Sequence, residues 1–370
     1  MEGGKISSLQ MALLLYPAII ATAILSVPGA VAEYAGRDMW IAPMIASLAG
    51  FLSVFIMVCL HERYPGKTVI EFSEEIIGRI PGKIFGFFII FFYLGATGVV
   101  VRAYSDFLNI SFLLKTPQAV VAASMVLVCA LCVHGGVEVM ARSGQILLPL
   151  FFLPLLVVFM FLAPDFEVKN ILPVLENGMI PPLKGAVIPA GWFAEFFLIS
   201  FLLPFLSNPS KAMKYGFLSV FITMLTLVLV NLVVLFILGE TTKLKTYPLI
   251  IVGRYASLAE FFENLEAVIV AVWIIGAFIK ITVFYYAVVL AAAQWLKLSD
   301  FRPIIWPFGI LIVQFAFLGL PNTMVFNRIT EVFPFYSLLF QVLIPLFLLI
   351  IAMARRKKGK KNAGNSGSRQ

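Results

Sequence analysis

An all-α integral membrane protein with ten transmembrane helices is the fold class this sequence predicts, on three observations. The 370-residue chain is 61% hydrophobic and only 12% charged, with a mean hydropathy of +1.02, whereas soluble domains carry about 25% charged residues. Its apolar residues fall in blocks of roughly 20, the length a helix needs to cross about 30 Å of hydrocarbon. Its basic residues are unevenly shared between the loops of the two sides, as the positive-inside rule expects.

The blocks place spans at 9–33, 40–60, 84–107, 117–134, 144–163, 187–206, 217–239, 266–294, 303–320 and 335–353. Lys5, the apolar run after it and "PGAVAEYA" imitate a signal peptide, but the run from Leu9 to Val31 exceeds the usual apolar core of such a leader. It therefore reads as the first span. Between spans two and three, "HERYPGKTVIEFSEEIIGRIPGK" spaces its apolar residues as a short amphipathic helix lying at the interface. The segments 164–186 and 240–265 read as long outer loops with some local helix. Residues 1–353 form one polytopic domain, and the basic tail 354–370 is expected to be disordered and cytoplasmic.

With the N-terminus inside, 17 of the 27 lysines and arginines face the cytoplasm and eight face outward. Both termini are thus expected to be cytoplasmic. The net charge of +8 reflects topology and contact with anionic lipid, not a nucleic-acid footprint. The three cysteines all lie in apolar runs. Cys129 and Cys132 form a C-x-x-C without a second ligand pair, so packing, not redox chemistry or metal binding, is expected. His61 and His134 have no catalytic or metal-ligand pattern around them. No enzyme, cofactor or metal is expected.

Two spans carry interruptions. Span one has Pro28 and Gly29 in its apolar run, and span six has Pro204 near its far end. Each opens a half of five spans. Broken helices at matching places in two halves point to a midplane binding site of the transporter kind, whereas an isolated Pro is an ordinary kink.

The opening "KISSLQMALLLYPAIIATAILSVPGAVAEYAGRDMWIA" resembles that of the GerAB-type spore germination proteins. These are B subunits of nutrient germinant receptors within the amino acid–polyamine–organocation transporter superfamily. Ser8 and Gln10, the run Ala21 to Leu25, Pro28 and the pair Asp38 and Trp40 carry the likeness. It continues through Thr116–Pro117, "GGVEVMAR" (135–142), "NILPVLENGMIPPLKG" (170–185) and Trp273, and covers residues 5–353. Ala21 and Ala23 stand where the family has glycines, and two added methyl groups should narrow or stiffen the break.

The resemblance implies a LeuT-like bundle, an inverted 5+5 repeat with helices 1 and 6 broken and spans one, three, six and eight around the ligand. The pocket then lies between Ala21, Thr22, Ala23 and Ile24, the hydroxyl stripe of Tyr93, Thr97 and Tyr104, the stretch from Glu195 through Leu198 to Ile199, and Thr282 with Tyr286. The same hydroxyls equally suit bonds between neighbouring helices. Arg102 and Asp106 stand four apart, as an ion pair would. Glu195 suits a ligand ammonium or a freed backbone N–H of span one. Lys280 lies about 200° round the helix from Thr282 and reads as structural or subunit-facing, with a proton-coupling role as the alternative.

The implied function is binding of a small nutrient, most directly an amino acid, to trigger spore germination. The implied setting is the spore inner membrane, with a membrane A subunit and a lipoprotein C subunit as partners. The alternative is a secondary transporter of amino acids or polyamines, possible on the same fold.

Overall fold

The computed structural model describes residues 2–256, 265–319 and 323–366. Residues 257–264 of the second outer loop, residue 320 of the ninth expected span and residues 367–370 of the tail lie outside the described residues. Helices α1 (Ser8–Ala35), α2 (Ala42–Arg63), α3 (Val69–Ile77), α4 (Arg79–Ser111), α5 (Gln118–His134), α6 (Gly136–Leu162) and α7 (Ile180–Ala194) make the first part. Then follow α8 (Ala212–Leu238), α9 (Pro248–Ala256), α10 (Leu265–Leu296), α11 (Arg302–Leu318), α12 (Thr323–Leu338) and α13 (Ile344–Ser366). Among the described residues eight helical segments are long and apolar enough to cross a membrane, and α5 and α11 are shorter apolar helices. These eight and two fall at the places of the ten expected spans.

Burial sorts centre from rim. In the most apolar window of α1, 83% of residues are buried inside the protein, against 28% for α6. The first helix is therefore the axis around which α6, α7, α8 and α10 pack. A capping box of Ser7 and Gln10 starts it, satisfying two orphan N–H groups reciprocally. The expected interfacial helix is α3, opened by the same device from Thr68 and Glu71 and burying Val69, Ile70, Phe72 and Ile76.

Span one departs from expectation. α1 runs as one helix through both Pro17 and Pro28, so Pro28 and Gly29 do not break it. Neighbouring helices allow Pro to stay in a membrane helix, leaving the Leu13 and Ile24 carbonyls without their usual donors. Gly29 has a different reason: a β-carbon there would stand 2.4 Å from the Lys245 carbonyl oxygen. Gly29 marks a close approach of the loop around Lys245 to the helix.

Span six does break, but earlier than Pro204 indicated. The α-form ends at Ala194, and 3-10 turns run over Glu195–Phe201 and Leu203–Phe205. Seven continuous 3-10 residues exceed the usual three or four. Pro204 lies in the second, shorter turn and not at the onset. The tail also departs from expectation, since α13 stays helical to Ser366. Ala, Arg and Lys are good helix formers that propagate a helix already nucleated in the membrane.

The quoted motifs have structural work. The buried carboxylate of Asp38 accepts the Leu175 N–H at 2.9 Å, where Leu175 holds a left-handed φ of 55°. Asp38→Ala should free this loop, read as faster protease cleavage within 172–178 while the helical core stays protected. In "GGVEVMAR", the Val137 N–H donates to Glu2 and Glu138 accepts the Lys5 N–H. Ile6 exchanges backbone bonds with Phe205 and Ser207, both 2.9 Å, while Ser8 bonds Asn208. The N-terminal segment thus fastens the end of the broken span.

Candidate functional site

Where α7 changes from α to 3-10 form, two charges face each other. Lys280 Nζ donates to Glu195 Oε2 at 2.6 Å, and both side chains are 1% exposed. Lys280 lies near the midpoint of α10, and its ammonium also stands over the Phe284 ring at 4.9 Å. Phe284, one turn on, meets the Tyr93 ring edge-on at 5.5 Å. Phe197 stacks on Tyr93 and Phe201 stands edge-on to it. An aromatic box therefore adjoins a dry ion pair. Such a pair at membrane depth is costly.

The surrounding polar atoms tie four elements together. Tyr93 donates to Gln341 Oε1 at 2.8 Å, and Gln341 lies in a π-helical turn, Leu339–Leu343, between α12 and α13. The Ser53 hydroxyl of α2 is placed between the carbonyls of Ala194, 3.4 Å, and Gln341, 3.3 Å. Gln341 Nε2 and Ser200 Oγ are buried without a partner. A long 3-10 stretch and a π turn, both forms common at functional sites, thus share one network.

One turn earlier in α7, Trp192 Nε1 donates to Thr22 Oγ1 at 3.0 Å, joining α7 to α1. Thr22, Ser26 and Trp192 are half-buried while Ala21, Ala23, Ile24 and Phe193 are fully enclosed. Trp192 and Glu195 share a helix face, three residues apart. The partly open Thr22–Ser26–Trp192 surface therefore lies above the ion pair. Thr22→Val should weaken the binding of any small polar solute held here several-fold, without a marked change in thermal stability. An unchanged binding isotherm would remove Thr22 from the site.

The expected pocket residues divide. Tyr93, Glu195 and Thr22 belong to the region just described. The Thr97 hydroxyl is used within its own helix, on the Tyr93 carbonyl at 2.6 Å. Ala21 does not face an opening: a β-carbon on Gly276 of α10 would stand 2.6 Å from the Ala21 β-carbon and 2.7 Å from the Phe151 ring. Ala23, Ile24 and Leu198 are closed in the core, and Ile199 packs towards Gly216 of α8. The Thr282 hydroxyl has no nitrogen or oxygen partner and lies beside the Cys129 thiol, while Tyr286 meets Phe301 edge-on.

Lys280 is the correction with most consequence. It does point away from Thr282, but that direction is inward, to Glu195, not towards another subunit. Arg102 and Asp106 form the expected pair at 2.9 Å. Cys59, Cys129 and Cys132 are free thiols. Among the described residues no group of three or more His, Cys, Asp or Glu stands together as a metal site would.

A multi-pass helical membrane protein with a broken span beside a midplane polar site belongs to the LeuT-fold class, and the solved structures bear this out. The crystal structure of MhsT in complex with L-phenylalanine superposes with a TM-score of 0.66, covering 94% of this chain and 89% of that one at 15% identity. The family model described as spore germination protein matches residues 5–324, and the chain belongs to that family. It is 25% identical to spore germination protein KB of Bacillus subtilis strain 168, over all of both chains. Spore germination protein XB of Bacillus anthracis is 24% identical over 69% of this chain and 72% of its own length.

Proposed function

We propose that this chain is the B subunit of a nutrient germinant receptor and that it binds a small zwitterion, most directly an amino acid, at the Glu195–Lys280 pair. The observation that carries the reading is the pair itself, dry and 2.6 Å apart where the helix changes form. An amino acid brings one charge of each sign. Its carboxylate can take Lys280 and its ammonium Glu195, so neither buried group is left uncompensated as the pair opens. Thr22 and Trp192 lie on the outward approach.

Binding then separates α10 from the 3-10 stretch of α7, and the network through Ser53, Tyr93 and Gln341 carries the change to α2 and the π turn. A ligand shifts a conformational equilibrium only by its differential affinity for the two states, and exchange of ion partners supplies that difference. The change is passed to a membrane A subunit and a lipoprotein C subunit in the spore inner membrane, with both termini cytoplasmic. Family membership supports the germination role, and the transporter fold supports a small-solute site.

Purified protein in sealed proteoliposomes, offered a panel of labelled amino acids, tests the reading. Retention saturating at a one-to-one ratio and indifferent to an imposed pH gradient is expected of a sensor. Accumulation beyond that ratio, driven by the gradient, would make the chain a secondary transporter.

A further inference from the structure

Two side-chain atoms of the network around Tyr93 are buried and have no partner among the described residues, Gln341 Nε2 and Ser200 Oγ. Gln341 is 0% and Ser200 2% exposed, so bulk solvent does not reach them. The sequence explains how they come together. Pro345 has no N–H for the Gln341 carbonyl four residues back, and the helix passes this point as the π turn. The freed carbonyl takes the Ser53 hydroxyl at 3.3 Å, which also stands 3.4 Å from the Ala194 carbonyl. Residues three apart eclipse in a 3-10 helix, so Ala194 at its start, Phe197 and Ser200 make one row. Ala194 meets Ser53, and Phe197 stacks on Tyr93, the donor to Gln341 Oε1. Ser200, last in the row, therefore faces the same group. α2, the 3-10 stretch and the π turn all touch one another there.

We infer that one ordered water is bound between Gln341 Nε2 and Ser200 Oγ, in the seam where the 3-10 stretch of α7 meets the π turn. Buried polar groups of native proteins are satisfied by protein or by ordered water, and such a water makes about three bonds. The Ser53 oxygen, which has one hydrogen for two carbonyls, accepts the third. Whichever way the Gln341 amide is turned, one end meets Tyr93 and the other is left over. Water both donates and accepts and suits either end, whereas an ion suits one. An ion would also bring net charge into a dry interior whose neighbouring pair is already neutral. Ordered water beside 3-10 and π turns is a means by which a membrane bundle satisfies polar groups near a proline. A bond through water is nearly as good as a direct one and is remade at a new length. The seam can therefore shift without leaving a polar group unpaired.

Hydroxyl-radical footprinting by X-ray radiolysis tests this on the full chain in lipid nanodiscs, without nutrient. Radicals born from a bound water oxidise the side chains beside it even where bulk solvent is excluded. Phe197 and Phe151 are both 0% exposed, but Phe151 lies on α6 against Tyr16. The expected result is oxidation of Phe197 several-fold faster than of Phe151, with the difference lost in Ser200→Ala and in Gln341→Met. Ser200→Ala removes one small hydroxyl and decides the matter should Gln341→Met not fold. Equal rates for the two phenylalanines, or a Phe197 rate undiminished in either folded variant, would overturn the proposal. So would a Phe197 rate suppressed when chloride replaces gluconate in the buffer, since the seat would then belong to an anion. The amino-acid reading stands or falls separately, on the proteoliposome counts.

Discussion

Lys280→Met alone should destabilise the protein by about 3–5 kcal/mol, because it strands a carboxylate in the bundle interior. Glu195 is 1% exposed, and Lys280 is its hydrogen-bond partner in the structure. Adding Glu195→Leu should restore stability to the wild-type level or above it, since apolar residues of similar volume commonly replace a buried pair without loss. Thermal unfolding of the detergent-solubilised single and double variants reads this directly. A double variant no more stable than Lys280→Met would mean that the pair organises the fold and does not stand ready for exchange.

Gly276→Ala should cost about 1–3 kcal/mol through overpacking, since the new methyl group would meet Ala21 at 2.6 Å and Phe151 at 2.7 Å. Gly276 and Lys280 are four apart and share a helix face. The same change therefore pushes α1 from α10 one turn above the ion pair and should weaken nutrient binding as well. Ala21→Gly in the same chain removes one of the two clashes, so partial rescue is expected, with a coupling of about 0.5–3 kcal/mol in a double-mutant cycle. Additive costs would contradict the packing described. The small residue needed where α1 crosses α10 is thus supplied by Gly276 of α10, which leaves room for the Ala21 methyl group.

Helix positions were legible because span length and apolar blocks are set by the bilayer, and α3 was legible from its spacing. Arg102 with Asp106 was also readable, since the pair lies along one helix. Three features were not. The sequence from Glu195 to Phe201, "EFFLISF", contains no Pro or Gly, so nothing local announces its 3-10 form, and Pro204 drew the expectation nine residues too far. Pro28 and Gly29 look like a break, yet the helix runs through them, and the reason for Gly29 is the approach of Lys245, 216 positions away in sequence. The wheel of α10 separates Lys280 from Thr282 correctly but does not say which face is inner. Only Glu195, on another helix, decides that.

Equilibrium binding of a labelled amino acid to the Glu195→Leu/Lys280→Met double variant in lipid nanodiscs, beside the wild type, tests the central claim most directly. The account predicts a folded, stable variant that has lost saturable binding. A folded variant with the wild-type isotherm would contradict it and place the nutrient away from the ion pair.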